Sequence, residues 1–279
     1  MRRSWICLAA LLAALCAVAS AAATLRGQHT ERASLGAWHA AFTYDKGPGF
    51  LPPYSHLRLV VSNGKKHVLD APVVSKEPGA DRPEPASAGR GSSLFFRDLD
   101  GAGTPELVLE LYTGGAHCCF VDQVFDFSSS RPLKIELDLA DSGAHIVTAA
   151  GKPLLESADD SFAYEFTDYG DSGSPILLLR YLGGRFEDVT RSHPQLVDAD
   201  ASRWWRASQA AIGHKGDARG VLAAWAADQA VLGQASIAKR TLLSFASAGK
   251  IGGESGPGWP TGRAYVDKLW QFLAKRGYL

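Results

Sequence analysis

Three groups of residues have types and spacings that chemistry could use, and the sharpest is acidic. Residues 96–109 read FRDLDGAGTPELVL, which puts Asp98, Asp100 and Glu106 at the first, third and ninth positions of a short loop, with Gly103 at the sixth. Calcium takes about six to eight oxygen ligands, and short loops supply them from alternate residues. A glycine at the sixth position permits a sharp turn, and Thr104 after it offers a backbone carbonyl. The twelfth position is Leu109 rather than Glu, and no helix pattern follows. The chemistry is therefore that of a calcium loop set between two strands, not an EF-hand. The same residues also suit a metal-free hairpin, in which Asp side chains accept backbone hydrogen bonds.

The second group is His117-Cys118-Cys119, after Gly114-Gly115. In an oxidising compartment adjacent cysteines can close a vicinal disulfide, and strained disulfides are the labile ones. Thiolate and imidazole also suit a soft metal. One His and two adjacent Cys are too few for a closed zinc site, and C-C is not the C-x-x-C spacing. A structural pair, oxidised or not, is expected, with thiol-redox or metal chemistry as an alternative.

The third group is Gly170-Asp171-Ser172-Gly173-Ser174-Pro175, which resembles the nucleophile segment of chymotrypsin-like proteases. Ala116-His117-Cys118 is similar to their histidine segment, and His117, Asp138 or Asp141, then Ser172 keep the family's order. Only 55 positions separate His117 from Ser172. The two barrels of that family need roughly 200 residues. A turn between strands is expected here, and a serine hydrolase using Ser172 and His117 is the alternative. No G-x-S-x-G, H-E-x-x-H or P-loop occurs. Asp159-Asp160 could add metal ligands but reads more simply as the solvated start of a strand. Lys239-Arg240 and Lys275-Arg276 read as solvated helix faces.

These residues must be positioned by two kinds of element. From about Leu35 to Thr190 the apolar residues come in short bursts, among them Leu57–Val61, Leu94–Phe96, Leu107–Tyr112, Val121–Phe127, Ile135–Leu139 and Ile176–Tyr181. In the third burst Leu107, Leu109 and Leu111 alternate with Val108, Glu110 and Tyr112. Turn signals such as Asn63-Gly64, Asp100-Gly101 and Gly183-Gly184 separate the bursts, and this predicts antiparallel β structure. Residues 76–93 form a Pro/Gly/Ser-rich loop with little capacity to pack. After Val197 the spacing turns helical. Ala201, Trp204, Trp205 and Ser208 form one stripe, Ile237, Thr241, Leu242 and Phe245 a second, and Val266, Leu269, Trp270 and Leu273 a third. Four helices are expected from about 199 to 276, with a Gly/Pro-rich loop at 249–262. Their tryptophans should fill the core between the helices and the β part. The fold class is α+β: a β-rich domain over 24–197, mostly antiparallel, and a helical region over 198–279 packed on it.

The chain has 279 residues, 46% hydrophobic and 21% charged, which suits a folded protein with a real core. Its 29 basic and 29 acidic residues balance, so no broad nucleic-acid face is implied. Residues 1–23 carry Arg2-Arg3, an apolar run from Trp5 to Val18 and a small-residue end at Ala21-Ala22-Ala23. That is the pattern of a cleaved secretory signal peptide, and the run is short for a membrane span. Its removal leaves 29 less 2, or 27, basic residues against 29 acidic, and leaves Cys118 and Cys119 as the cysteines. No transmembrane segment is read in the mature chain. An exported protein, periplasmic or secreted, with a cell-envelope or extracellular partner is expected.

The acidic turn resembles the calcium-binding FG-GAP or VCBS repeats of the integrin-α propeller type, whose turn has the form D-x-D-G-D-G-x-x-E/D before an apolar strand. Asp98, Asp100, Gly101, Gly103, Pro105 and Glu106 fit that form, while Ala102 stands where the family has Asp or Asn and so removes one ligand. The wider stretch from this turn through Tyr112–Cys119, with Phe162–Phe166 and Pro175–Arg191, is similar to a group of secreted bacterial proteins of uncharacterised function. The resemblance implies a weak calcium site with Asp98, Asp100 and Glu106 as side-chain ligands and Thr104 as a carbonyl ligand. Ala144–Leu155 loosely echoes Phe96–Val108, each running strand, Gly-x-Pro turn, strand, without acids in the second copy. A closed propeller usually needs at least four blades, so incomplete, degenerate propeller-like repeats are expected. The function expected is an exported non-enzymatic binding or cell-envelope module.

Overall fold

A computed structural model describes residues 27–49, 52–84, 91–252 and 258–279. The expected signal peptide lies outside the described residues, as do positions 85–90 and 253–257 of the two expected loops. Among the described residues, no helix is long and apolar enough to cross a membrane.

The short bursts pair into three antiparallel sheets. The first is a meander of β1 (Gly27–Leu35), β2 (Trp38–Lys46), β3 (Tyr54–Asn63) and β4 (Lys66–Pro72). The second is built on β7 (Glu106–Tyr112). One edge of β7 carries both β5 (Arg82–Pro83) and β6 (Leu94–Arg97); the other carries β8 (Phe120–Asp126), followed by β9 (Leu133–Asp138). The third is the meander β10 (His145–Ala149), β11 (Lys152–Ala158), β12 (Ile176–Tyr181) and β13 (Phe186–Asp188). Four helices follow: α1 (Pro194–Gly213), α2 (Arg219–Val231), α3 (Ala235–Ser247) and α4 (Gly262–Lys275). The chain is α+β with antiparallel sheets, and among the described residues no sheet closes on itself.

The apolar clusters show how the layers stack. Phe42, Leu59 and Val61 of the first sheet meet Leu107, Leu109 and Leu111 of the second. The opposite face of the second sheet offers Val108 and Val124 to Tyr181 and Phe186 of the third. Leu154 and Leu178 of the third sheet meet Val197 of α1 and Val231 of α2. The second sheet is therefore covered on both faces, which is why β7 and β8 are buried almost throughout. The alternation along β7 sorts side chains between two cores rather than between core and water.

Several elements differ from the sequence expectation for physical reasons. Strands begin at Gly27, ahead of Leu35, because β1 is a largely exposed edge whose polar residues carry no buried face. The segment after residue 76 packs at both ends. Pro83 is buried and pairs with Leu111. Ser92 Oγ, Ser93 Oγ and the Ser93 amide all donate to Glu31, at 2.9, 2.9 and 2.8 Å. Trp204, Trp205 and Trp270 pack against a core formed largely by the helices themselves, with Trp225 inside it. In α3 the buried residues are Ala238 and Leu242, whereas Ile237 is half exposed, so the face is rotated from the expected stripe. The Ala-rich α2 is the central helix of this region, with Leu222, Ala223, Ala226 and Ala227 fully buried. The echo between Phe96–Val108 and Ala144–Leu155 is met by two hairpins, β6–β7 and β10–β11.

Candidate functional site

The acidic turn joins β6 to β7 and is shaped by its own carboxylates. Asp98 accepts the Gly101 amide at 2.8 Å through one oxygen and the Gly103 amide at 3.0 Å through the other. Asp100 accepts the Ala102 amide at 2.8 Å. Gly103 lies at φ +89°, where a side chain would be strained. Glu106 folds back from the first position of β7 to accept the Leu99 amide at 2.7 Å. One carboxylate oxygen each from Asp98, Asp100 and Glu106 can be chosen so that all lie within 4.8 Å of one another. Thr104 lies beside them and lines a pocket of about 520 Å³ together with Trp38, His67 and Phe127.

These three carboxylates differ in environment. Asp98 and Asp100 are partly exposed, whereas Glu106 is 1% exposed. Burial, with repulsion from Asp100 and Asp126, pushes its carboxyl up to about 7 against the lowering effect of the Leu99 amide. Asp126, which follows the residue paired with Leu107, is the member that sequence reasoning missed. Burial works against its charge, but hydrogen bonds from Ser128 and from the Tyr181 hydroxyl at 2.6 Å outweigh this and hold its pKa below the ordinary carboxylate range. A charged Asp126 thus sits behind Glu106, whose cross-strand neighbour on β6 is Arg97. The signal that could have found it was the buried Asp at the end of a β-strand paired with the turn.

Cys118 and Cys119 are bonded to each other. Thr113 clasps the pair: its hydroxyl donates to the Cys118 carbonyl at 2.6 Å and accepts the Cys119 amide at 2.7 Å. The preceding His117 lies against Tyr169, with ring centroids 3.8 Å apart and planes tilted by 35°, and makes an edge contact with Tyr164 at 6.4 Å. Tyr164 and Tyr169 are 5.4 Å apart, and the Tyr169 hydroxyl donates to Asp141.

Ser172 lies close to this group, but its hydroxyl is committed to backbone. It donates to the Asp168 carbonyl at 2.7 Å and accepts the Tyr164 amide at 3.1 Å. Among the described residues no hydrogen bond joins His117 to Ser172, and Asp138 and Asp141 accept from the Ala140 amide and from Tyr169 instead. Gly173 of the motif and Gly220 of α2 permit a close approach between the two. A Cβ on Gly173 would lie 3.0 Å from the Val221 backbone, and one on Gly220 only 2.2 Å from the Asp171 carbonyl. The turn therefore lies directly on the start of α2. The Asp159 carboxylate receives Arg276 and the Tyr278 hydroxyl from the C-terminal segment.

A second pair of acids is buried between α1 and α2. Asp200 accepts Arg203 Nε at 2.8 Å, Trp204 Nε1 at 2.9 Å and the Ile176 amide at 3.1 Å. Asp228, 1% exposed, shares a hydrogen bond with it. Burial, then repulsion from Asp200, pushes the Asp228 carboxyl up to about 9. Asp228 holds the proton because the donors around the pair already serve Asp200. A polar cleft of about 470 Å³, lined by His145, Glu156, Ser174, Asp200 and Arg203, opens beside the pair.

A protein of Sinorhizobium fredii described as uncharacterized protein y4bJ is 28% identical over 88 residues, which is 30% of this chain and 14% of that protein. No family model matches the chain, and no solved structure matches it.

Proposed function

We propose that the protein is an exported, non-enzymatic binding or cell-envelope module in which one hairpin is held by calcium. The observation that carries this reading is the convergence of Asp98, Asp100 and Glu106 within 4.8 Å, with the proton affinity of Glu106 raised by its burial and then by neighbouring acids. Such a site gains most from a cation that neutralises it. The donor set fits calcium incompletely: three carboxylates converge, Thr104 would offer its carbonyl, and Ala102 contributes no side-chain ligand. A dissociation constant of about 10⁻⁴–10⁻³ M, normal for extracellular modules, follows from that shortfall. The resemblance to FG-GAP or VCBS turns supports the same ion. The three sheets, each led by an antiparallel hairpin, are read here as incomplete propeller-like repeats. The bonded Cys118–Cys119 pair suits an oxidising compartment. The partner belongs to the cell envelope or the extracellular space.

Thermal unfolding with and without calcium tests the reading. A site with Kd near 1 mM adds about 1.4 kcal/mol at about 10 mM calcium. In a chain of this size that is a shift of roughly 2–4 °C. The shift is expected in the parent and not in Asp98→Ala; equal behaviour of the two proteins overturns the calcium reading.

A further inference from the structure

We propose that His117, Tyr164 and Tyr169 form a binding site for a small organic ammonium ion, with Asp141 supplying the countercharge. The site is separate from the acidic hairpin and goes beyond the calcium reading. Its first support is the ring cluster itself. Three aromatic side chains from two distant segments gather within 6.4 Å of one another at the surface, and Tyr164 is 52% exposed. His117 and Tyr169 cover part of the Tyr164 ring, and the rest of it stands open to a ligand.

The second support is the backbone of Tyr164. It lies at φ +60°, a conformation that bulky residues adopt only when their surroundings impose it. Here both of its polar groups are pinned. Its amide donates to Ser172 Oγ at 3.1 Å, and its carbonyl accepts Trp259 Nε1 at 3.2 Å. Ser172 is thus a positioning residue for the exposed ring. Hydrogen bonds from two other segments hold a strained residue so that its ring stays at the surface.

Charge selects the ligand. The segment from Asp159 to Asp171 contains five acids and no Lys or Arg, Asp138 ends β9, and Asp141 lies on the loop that follows it. Two of the bases that reach these elements are engaged: Lys268 pairs with Glu165 and Arg276 with Asp159. The Tyr169 hydroxyl donates to Asp141, which makes the ring richer in electrons. Aromatic faces beside carboxylates attract organic cations through the ring quadrupole and the acid field together. An anion would be repelled, and a neutral ligand would gain nothing from the field.

The test is an NMR titration of the protein with choline, beside the uncharged alcohol in which tert-butyl replaces the trimethylammonium group. Choline is expected to bind about tenfold more tightly than the alcohol. Tyr164→Ala should weaken choline binding by about tenfold, Tyr164→Phe should retain it, and Ser172→Ala should weaken it by releasing the ring. Circular dichroism checks that the variants fold, and His117→Ala provides the same reading if Tyr164→Ala does not. Equal affinity for choline and the alcohol overturns the proposal. So does unchanged choline binding in Tyr164→Ala, and so does binding to phosphatidylcholine vesicles without binding of free choline.

Discussion

Replacing Asp228 by Asn should stabilise the protein at neutral pH. In the folded chain Asp228 is protonated up to about 9, whereas in the unfolded chain it titrates near 3.8. The folded state therefore binds the extra proton throughout that window. Stability is lost as pH rises from the unfolded value to the folded one, and it is highest at the acid end. Each pH unit costs about 1.4 kcal/mol. At pH 7 the accumulated cost is about 4 kcal/mol, an upper bound that any relaxation between α1 and α2 reduces. Asn bears none of this cost, and its amide can donate to Asp200 as the protonated acid does. Against a total stability of roughly 5–15 kcal/mol the change is large. Urea unfolding of both proteins at several pH values between 4 and 9 measures it. The curves should nearly coincide at pH 4 and diverge as pH rises, with the variant the more stable. If Asp228→Asn is destabilising at every pH, or if both proteins share one slope, the shared-proton account is wrong.

Three further outcomes follow from the acidic turn and from the contact beneath the Ser172 turn. Ala102→Asp restores a carboxylate where the loop lacks one and should tighten calcium binding about tenfold or more, read as a larger thermal shift at fixed calcium; no change would mean that this position does not face the ion. Calcium must displace the proton that Glu106 holds up to about 7, so apparent affinity should fall towards tenfold per unit below that pH and level off above it, as measured by calorimetry in buffers of different ionisation enthalpy. Gly220→Ala places a methyl 2.2 Å from the Asp171 carbonyl, and backbone there cannot give way cheaply. A loss of about 1–3 kcal/mol in urea unfolding is expected, and wild-type stability would show that α2 can shift.

Periodicity made the fold class legible because both kinds of element bury one patterned face. The β7 alternation and the α4 stripe are both found where their spacing places them: Leu107, Leu109, Val266, Leu269 and Leu273 are all fully buried. The pattern fails where burial is absent or complete. The first strand is exposed and so has no apolar face to read. The Ala-rich α2 is buried on all sides, so it has no stripe, and its place at the centre of the helical region depends on small residues that permit close approach.

The site residues divide along a similar line. The acidic turn was legible because its three carboxylates come from one short stretch, and Asp98, Asp100 and Glu106 do converge. Asp126 was not legible, since only the β7–β8 register brings it to Glu106. The same limit explains the misleading similarity around Ser172. Asp171, Ser172 and Gly173 match a nucleophile segment in type and order, but each serves a local need. The Ser172 hydroxyl bonds the Asp168 carbonyl and the Tyr164 amide, and Gly173 lies against α2. A motif states what its residues can do; the partners that reach them from other elements decide which of those capacities is used. Here those partners commit Ser172 to holding Tyr164, while they leave the acids of the β6–β7 turn within 4.8 Å of one another.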